Sequence, residues 1–148
     1  IPLLAMHTYA QASGSPRAHE SALRAGEVFL RHGLFKRSSG GAVMEERFTQ
    51  VAYPPYWHYD ILAGLRVMDA VGKLSDPRCA DALDLLESKR LPDGGFAAEI
   101  KYYKVSEVRR ETSGFSFVDW DGAAKTRMNE WVTVHALSIL KKAGRLIS

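Results

Sequence analysis

An all-α fold built of αα-hairpin repeats is predicted by three features of the chain. Apolar residues recur in blocks at spacings of three and four, the signature of one helix face. Turns containing Gly or Pro punctuate the blocks. The blocks also fall into two alternating classes. One class ends in a Gly-Gly turn, with Phe29-Leu30 before Gly40-Gly41 and Leu85-Leu86 before Gly94-Gly95. The other is entered through Trp57 or Trp131 and closes on a single glycine, so that Gly64, Leu65, Met68 and Gly72 match Ala136, Leu137, Leu140 and Gly144. Alternating classes of this kind describe stacked helix pairs that bury their faces against neighbouring pairs.

Five helices follow from the pattern. The first runs from Leu3 to about Gln11 and ends at Ala12-Ser13-Gly14-Ser15-Pro16. The second covers Ala18 to about Phe35, with Leu23, Val28, Leu30 and Leu34 near one face, and stops at Ser38-Ser39-Gly40-Gly41. The third follows Tyr53-Pro54-Pro55-Tyr56 and spans Trp57 to Val71, with Ile61, Leu62, Leu65 and Met68 as its stripe and Gly72 as its stop. The fourth has the clearest start: Asp76 accepts from free N–H groups, and Pro77 at the first helical position loses nothing by lacking its own. It continues through Leu83, Leu86 and Glu87 to Arg90, and Pro92-Asp93-Gly94-Gly95 turns the chain. The fifth runs from about Thr126 to Ala143, with Trp131, Val134, Leu137, Ile139 and Leu140 apolar, and Gly144 closes it.

Between the last two helices, residues 96–125 form a connection of about 30 residues, longer than compact domains usually carry without a purpose. Its Glu99–Tyr103 and Phe115–Val118 pieces alternate enough to predict short extended segments. The expectation is a functional insertion or a small β-hairpin laid over the helices.

Composition bounds the rest. With 148 residues, 46% hydrophobic and 25% charged, the chain supplies one ordinary core, so residues 1–148 are expected to form a single domain. The 20 basic and 17 acidic residues are interspersed, which gives no concentrated patch for nucleic acid. A lone Cys79 rules out an internal disulfide and fits a reducing compartment, and the expectation is cytoplasmic. No stretch reaches the roughly 18 uncharged apolar residues of a membrane span. A start at Ile1 predicts a part of a longer protein.

Leu85-Leu86, Arg90, Gly94 and Phe96, with a worn second copy in Arg24-Ala25, Phe29-Leu30 and Leu34, resemble the repeat of protein prenyltransferases and squalene cyclases. That repeat places a Gln about four residues after an aromatic-aliphatic pair and then a Gly-x-Trp. Here both copies lack the Gln, and Phe96 stands for the Trp. The run from Tyr56-Trp57-His58-Tyr59-Asp60-Ile61-Leu62 through Asp76-Pro77-Arg78 to Asp93-Gly94 is similar to a bacterial squalene-cyclase-like branch. The resemblance implies inner and outer helices around a central cavity, with the second and fourth outer. Five helices are too few to close the family's α/α toroid, so an open arc or partial toroid is expected, completed by another copy or by the remainder of a longer chain.

The resemblance also implies two chemistries, and the residues depart from both. The cyclase acid motif is Asp-x-Asp-Asp; the nearest string is Asp119-Trp120-Asp121-Gly122, which lacks the last carboxylate. The prenyltransferase zinc takes Asp-x-Cys and a distant His. Cys79 has Asp76 before it and Asp81 after it, with His58 and His135 distant, so the order is missing and no metal or cofactor is expected. No phosphate loop, nucleophile motif or dinucleotide fingerprint occurs.

The densest polar-aromatic cluster is Trp57, His58, Tyr59 and Asp60 at the entry of the third helix, with Trp131 and His135 at the corresponding place in the fifth. As ligand-binding residues they would line the cavity, where a His-Asp pair serves acid-base work or orients a polar group. As structural residues, the tryptophans pack helix entrances and Asp60 caps N–H groups. Three functions remain open. One is a toroid-like module without intact catalysis that binds an apolar or isoprenoid-like small molecule. Another is a scaffold that binds a protein or assembles as a homo-oligomer. The third is an isoprenoid-processing enzyme whose site is completed outside this chain.

Overall fold

The computed structural model describes residues 2–108 and 114–146. Among them are five α-helices: α1 Pro2–Ser13, α2 Pro16–Arg31, α3 Ile61–Ala70, α4 Ala80–Ser88 and α5 Glu130–Lys142. One-turn 3-10 helices cover Glu46–Thr49 and Pro77–Cys79. Two short strands, β1 Lys104–Val105 and β2 Phe115–Ser116, complete the elements. They pair in parallel, Lys104 opposite Phe115, so of the two alternatives expected for the 96–125 connection the small β-hairpin is not the one formed.

The centre of the core is α3, which packs against α1, α4 and α5. Ile61, Leu62, Leu65 and Met68 are all buried, as their spacing predicts, and meet Leu83 and Leu86 of α4 and Ile139 and Leu140 of α5. Its N-terminus lies at Ile61, later than the expected start at Trp57, because Asp60 in extended conformation takes the cap and accepts from the Ala63 N–H at 2.8 Å. Residues 57–59 therefore belong to a loop.

The second helix departs more. It ends at Arg31, where Gly33 (φ 48°) and Leu34 (φ 71°) in left-handed conformation reverse the chain, and the Leu34 N–H closes on the Phe29 carbonyl at 3.0 Å. Of the expected stripe, Leu30 and Leu34 are buried and the other two residues are not. Ala18, Ala22, Gly26 and Leu30, one turn apart, are buried, while Leu23 and Val28 are exposed. The helix packs against α1. The fifth helix begins at Glu130, not Thr126, since Asn129 caps it by accepting from the Val132 N–H at 3.1 Å. Val132, Ala136, Ile139 and Leu140 are its buried face, and Trp131 and Val134 point outward. Asp76 and Pro77 open a 3-10 turn that runs into α4 at Ala80.

The long connection is fastened by polar contacts more than by its strands. Phe96, fully buried, donates its N–H to Thr133 Oγ1 at 2.9 Å, and its carbonyl accepts from the Asn129 N–H at 2.9 Å. Glu99 accepts from the Val51 N–H at 2.8 Å and from Lys89 Nζ at 2.9 Å. The Tyr103 hydroxyl accepts from the N–H groups of Trp120 and Gly122 and donates to Asp119 Oδ1 at 3.2 Å. No helix among the described residues is long and apolar enough to cross a membrane.

Gly64 lets the loop before α3 lie against the helix. A Cβ there would meet Tyr59 Oη at 2.3 Å and Leu34 Cδ2 at 3.1 Å. The Tyr59 ring has no room to retreat, being packed on Phe29 and Phe48 with its hydroxyl donating to the Leu34 carbonyl at 2.7 Å. Gly64→Ala is therefore expected to destabilise by about 1–3 kcal/mol, although Ala is the better helix former by roughly 1 kcal/mol. Urea denaturation reads the change. In combination with Tyr59→Phe the cost should be less than additive, and an unchanged or higher midpoint for Gly64→Ala alone contradicts the packing described.

Candidate functional site

A cavity of about 480 Å³ opens between α1, α3, α5 and the loop before α3. The loop contributes Pro55, Tyr56, Trp57, His58 and Tyr59; α3 contributes Ala63, Arg66, Val67 and Asp69; α5 contributes His135, Ser138 and Lys142. Leu3, Leu4 and Phe29 close the apolar side. The volume lies in the range of small-molecule sites.

The loop is held in an unusual shape. The His58 N–H closes a turn on the Pro55 carbonyl at 2.8 Å, and Tyr56 takes a left-handed φ of 49°, a conformation that costs a non-glycine residue of order 1–3 kcal/mol. Trp57 consequently projects outward and is 65% exposed. Its indole stacks on the His58 imidazole (centroids 5.1 Å apart, planes at 26°), which stacks on the Tyr102 ring (3.4 Å, 4°). Among the described residues His58 Nδ1, buried in this stack, has no hydrogen-bond partner.

Tyr59 faces the cavity with its ring and the protein with its hydroxyl. Burial, helped by the Asp60 charge, pushes its pKa well above the ordinary phenol value, which removes it as an acid near neutrality. Asp60 is nearly inaccessible: one carboxylate oxygen accepts from Ala63 N–H and the other from Ala52 N–H at 3.0 Å. Burial raises its pKa, and those backbone donors counter part of the rise. The structure gives Asp60 a capping and bridging place rather than one on the cavity wall, so it is not presented beside His58 for acid-base work.

From α5, His135 reaches the cavity and Trp131 lies just beyond it. The Tyr53 ring stacks on Trp131 (5.6 Å, 2°) and is tilted against His135 at 6.2 Å, while Trp120 stands edge-on to both Tyr53 and Trp131. Asp119 and Asp121 lie away from the cavity on the 96–125 connection, the first bonded to Tyr103 and the second exposed in left-handed conformation at φ 67°. Cys79 is buried, with its thiol against the Lys73 carbonyl at 3.6 Å, and burial pushes its pKa up to about 11. No group of three or more His, Cys, Asp or Glu placed to hold a metal ion occurs among the described residues.

The cavity, and the rings behind its wall, also use residues that the sequence did not single out. Arg66 carries the one charge in the apolar run Ile61–Met68, and that isolation was a legible signal. Tyr102 and Tyr53 had none, because only the tertiary fold turns their rings toward His58 and Trp131. Comparison of the chain with family models, with curated proteins and with solved structures gave no match.

His135 offers a check on this geometry. Burial foremost, and then the Arg66 charge, lower its pKa below the ordinary value near 6.5. A histidine with a depressed folded pKa is neutral in both states at higher pH; the unfolded chain takes up its proton first, so stability falls as pH drops through about 6.5 toward the folded pKa. Proton NMR titration is expected to place His135 below the free value. Arg66→Gln should recover the smaller part of the shift, and a titration at or above the free value contradicts the placement.

Proposed function

We propose that this chain is a helical-repeat module of the squalene-cyclase and prenyltransferase kind, without that family's intact catalytic motifs, which binds an apolar small molecule in the cavity before α3. The observation that carries the reading is convergence. Trp57, His58 and Tyr59 from one loop and His135 from the last helix line a single cavity, although they come from opposite halves of the chain. A rigid, exposed indole supplies contact area at low entropic cost. The αα packing of α1 on α2 and of α3 on α4 and α5 fits stacked pairs in an open arc. The truncated Asp119-Trp120-Asp121 string lies off the cavity, and Cys79 is buried with a raised pKa, which favours binding over either family chemistry.

A second reading, a scaffold that pairs with another copy or with the remainder of a longer chain, is favoured by apolar side chains left outside. Leu23 and Val28 on α2 and Trp131 and Val134 on α5 are exposed. Native mass spectrometry separates the two. The binding reading expects a monomer carrying a copurified apolar molecule, or accepting one on addition, with loss on Trp57→Ala. The scaffold reading expects a ligand-free oligomer. Since Trp57 is mostly exposed, its removal should change stability by no more than about 0.5 kcal/mol. A bare monomer that takes up no apolar ligand sinks the binding reading and pairing with another copy alike.

A further inference from the structure

We infer that the ligand of this cavity is a monoanion with a flat apolar body, its charge received by Arg66 and its ring system laid on Trp57. The inference rests on the binding reading above and specifies the chemical class of what is bound.

The charges on the wall lead to it. Two fixed cations, Arg66 and Lys142, and one fixed anion, Asp69, line the cavity. The Lys142 ammonium is already paired with the Asp69 carboxylate. Arg66 has no ion pair or hydrogen bond among the described residues; its charge is felt by Asp60, whose two oxygens are taken by the Ala52 and Ala63 N–H groups, so the guanidinium donors stay open. His135 adds no positive charge near neutrality, since burial and Arg66 itself hold its pKa down. One free guanidinium matches one negative charge. A neutral hydrocarbon would leave its donors unused, and a polyanion would find no second free cation.

The apolar half of the wall sets the body of the ligand. Leu3, Leu4, Phe29, Ala63 and Val67 provide no hydrogen-bonding side chain. The Trp57–His58–Tyr102 stack fixes an indole that is nonetheless largely exposed. An aromatic side chain immobilised in advance favours flat partners, which gain stacking area without ordering the protein.

Isothermal titration calorimetry of the full chain tests the assignment with two probes of one shape, naphthalene monosulfonate and the neutral naphthalenemethanol. The sulfonate is expected to bind about three- to tenfold more tightly, the range for one charge-assisted contact at a partly exposed site. Added salt should narrow the gap. Arg66→Gln should bring the sulfonate to the affinity of the alcohol without weakening the alcohol, and Trp57→Ala should weaken both. Equal binding of the two probes to the unaltered chain, or a preference that survives Arg66→Gln, overturns the monoanion inference and leaves the cavity reading standing. Failure of both probes to bind, or indifference of both to Trp57→Ala, overturns the cavity reading and with it the inference. A thermal melt of each variant separates lost binding from lost folding.

Discussion

The carboxylate of Asp60 is the interaction on which the rest of the site depends. A carboxyl group removed from water is costly unless its oxygens find donors. Here one oxygen takes the first turn of α3 and the other takes the Ala52 N–H, so the start of the helix and the start of the loop are bound to one group. Residues 53–59 are thereby closed into a loop whose ends cannot separate. The same segment extends the linkage. The Val51 carbonyl accepts from Glu99 N–H at 2.8 Å, and Ala52 bridges to Ile100. Tyr102, two residues on, arrives under His58 for this reason. The buried acid fixes the ends of the loop that carries the indole, and the backbone contacts of Val51 and Ala52 bring up the ring that backs it.

A second knot of polar contacts fastens the described residues of the 96–125 connection, which include only two short strands. Phe96 exchanges hydrogen bonds with Thr133 and accepts from Asn129, while the Asn129 side-chain amide donates to the Trp120 carbonyl at 3.0 Å. Asn129 thereby caps α5 and anchors the far end of the connection at once. The Tyr103 hydroxyl, with two N–H donors and one carboxylate acceptor, holds residues 119–122. Asp119 is used up in this network, which gives a physical account of a carboxylate string that resembles an acid motif and lies off the cavity.

Legibility of the fold followed the size of the signal. The stripe of α3 and the Asp76-Pro77 start were readable because periodicity and capping chemistry agree there. The face of α2 was legible only in part: Leu30 and Leu34 of the expected stripe are buried, but the rest of the buried face is made by Ala18, Ala22 and Gly26, whose lack of bulk gives no local signal, while Leu23 and Val28 are exposed. Leu34 at positive φ carries no sequence mark at all, and the helix ran on in the reading until Phe35. Of the site, Trp57, His58, Tyr59 and His135 were visible as a cluster of chemistry, and so was the capping alternative for Asp60. The second hydrogen bond of Asp60, and the rings of Tyr102 and Tyr53, depend on contacts between distant segments that no local pattern encodes.

The division of labour between Trp57 and Trp131 follows from their backing. Both stand near helix entrances and both are substantially exposed, and a residue this exposed contributes little to the core. Trp131 stacks flat on Tyr53 and is edged by Trp120, so its neighbours already occupy the positions a ligand ring would take. Trp57 is backed on His58 and lines a cavity that also holds an unpaired guanidinium. The first is an aromatic cluster that completes itself. The second is a platform with its complement missing, and the strain at Tyr56 beside it is retained where the fold would otherwise gain by relaxing it. Strain, exposure and a guanidinium with open donors at one place are together better accounted for by recognition than by stability.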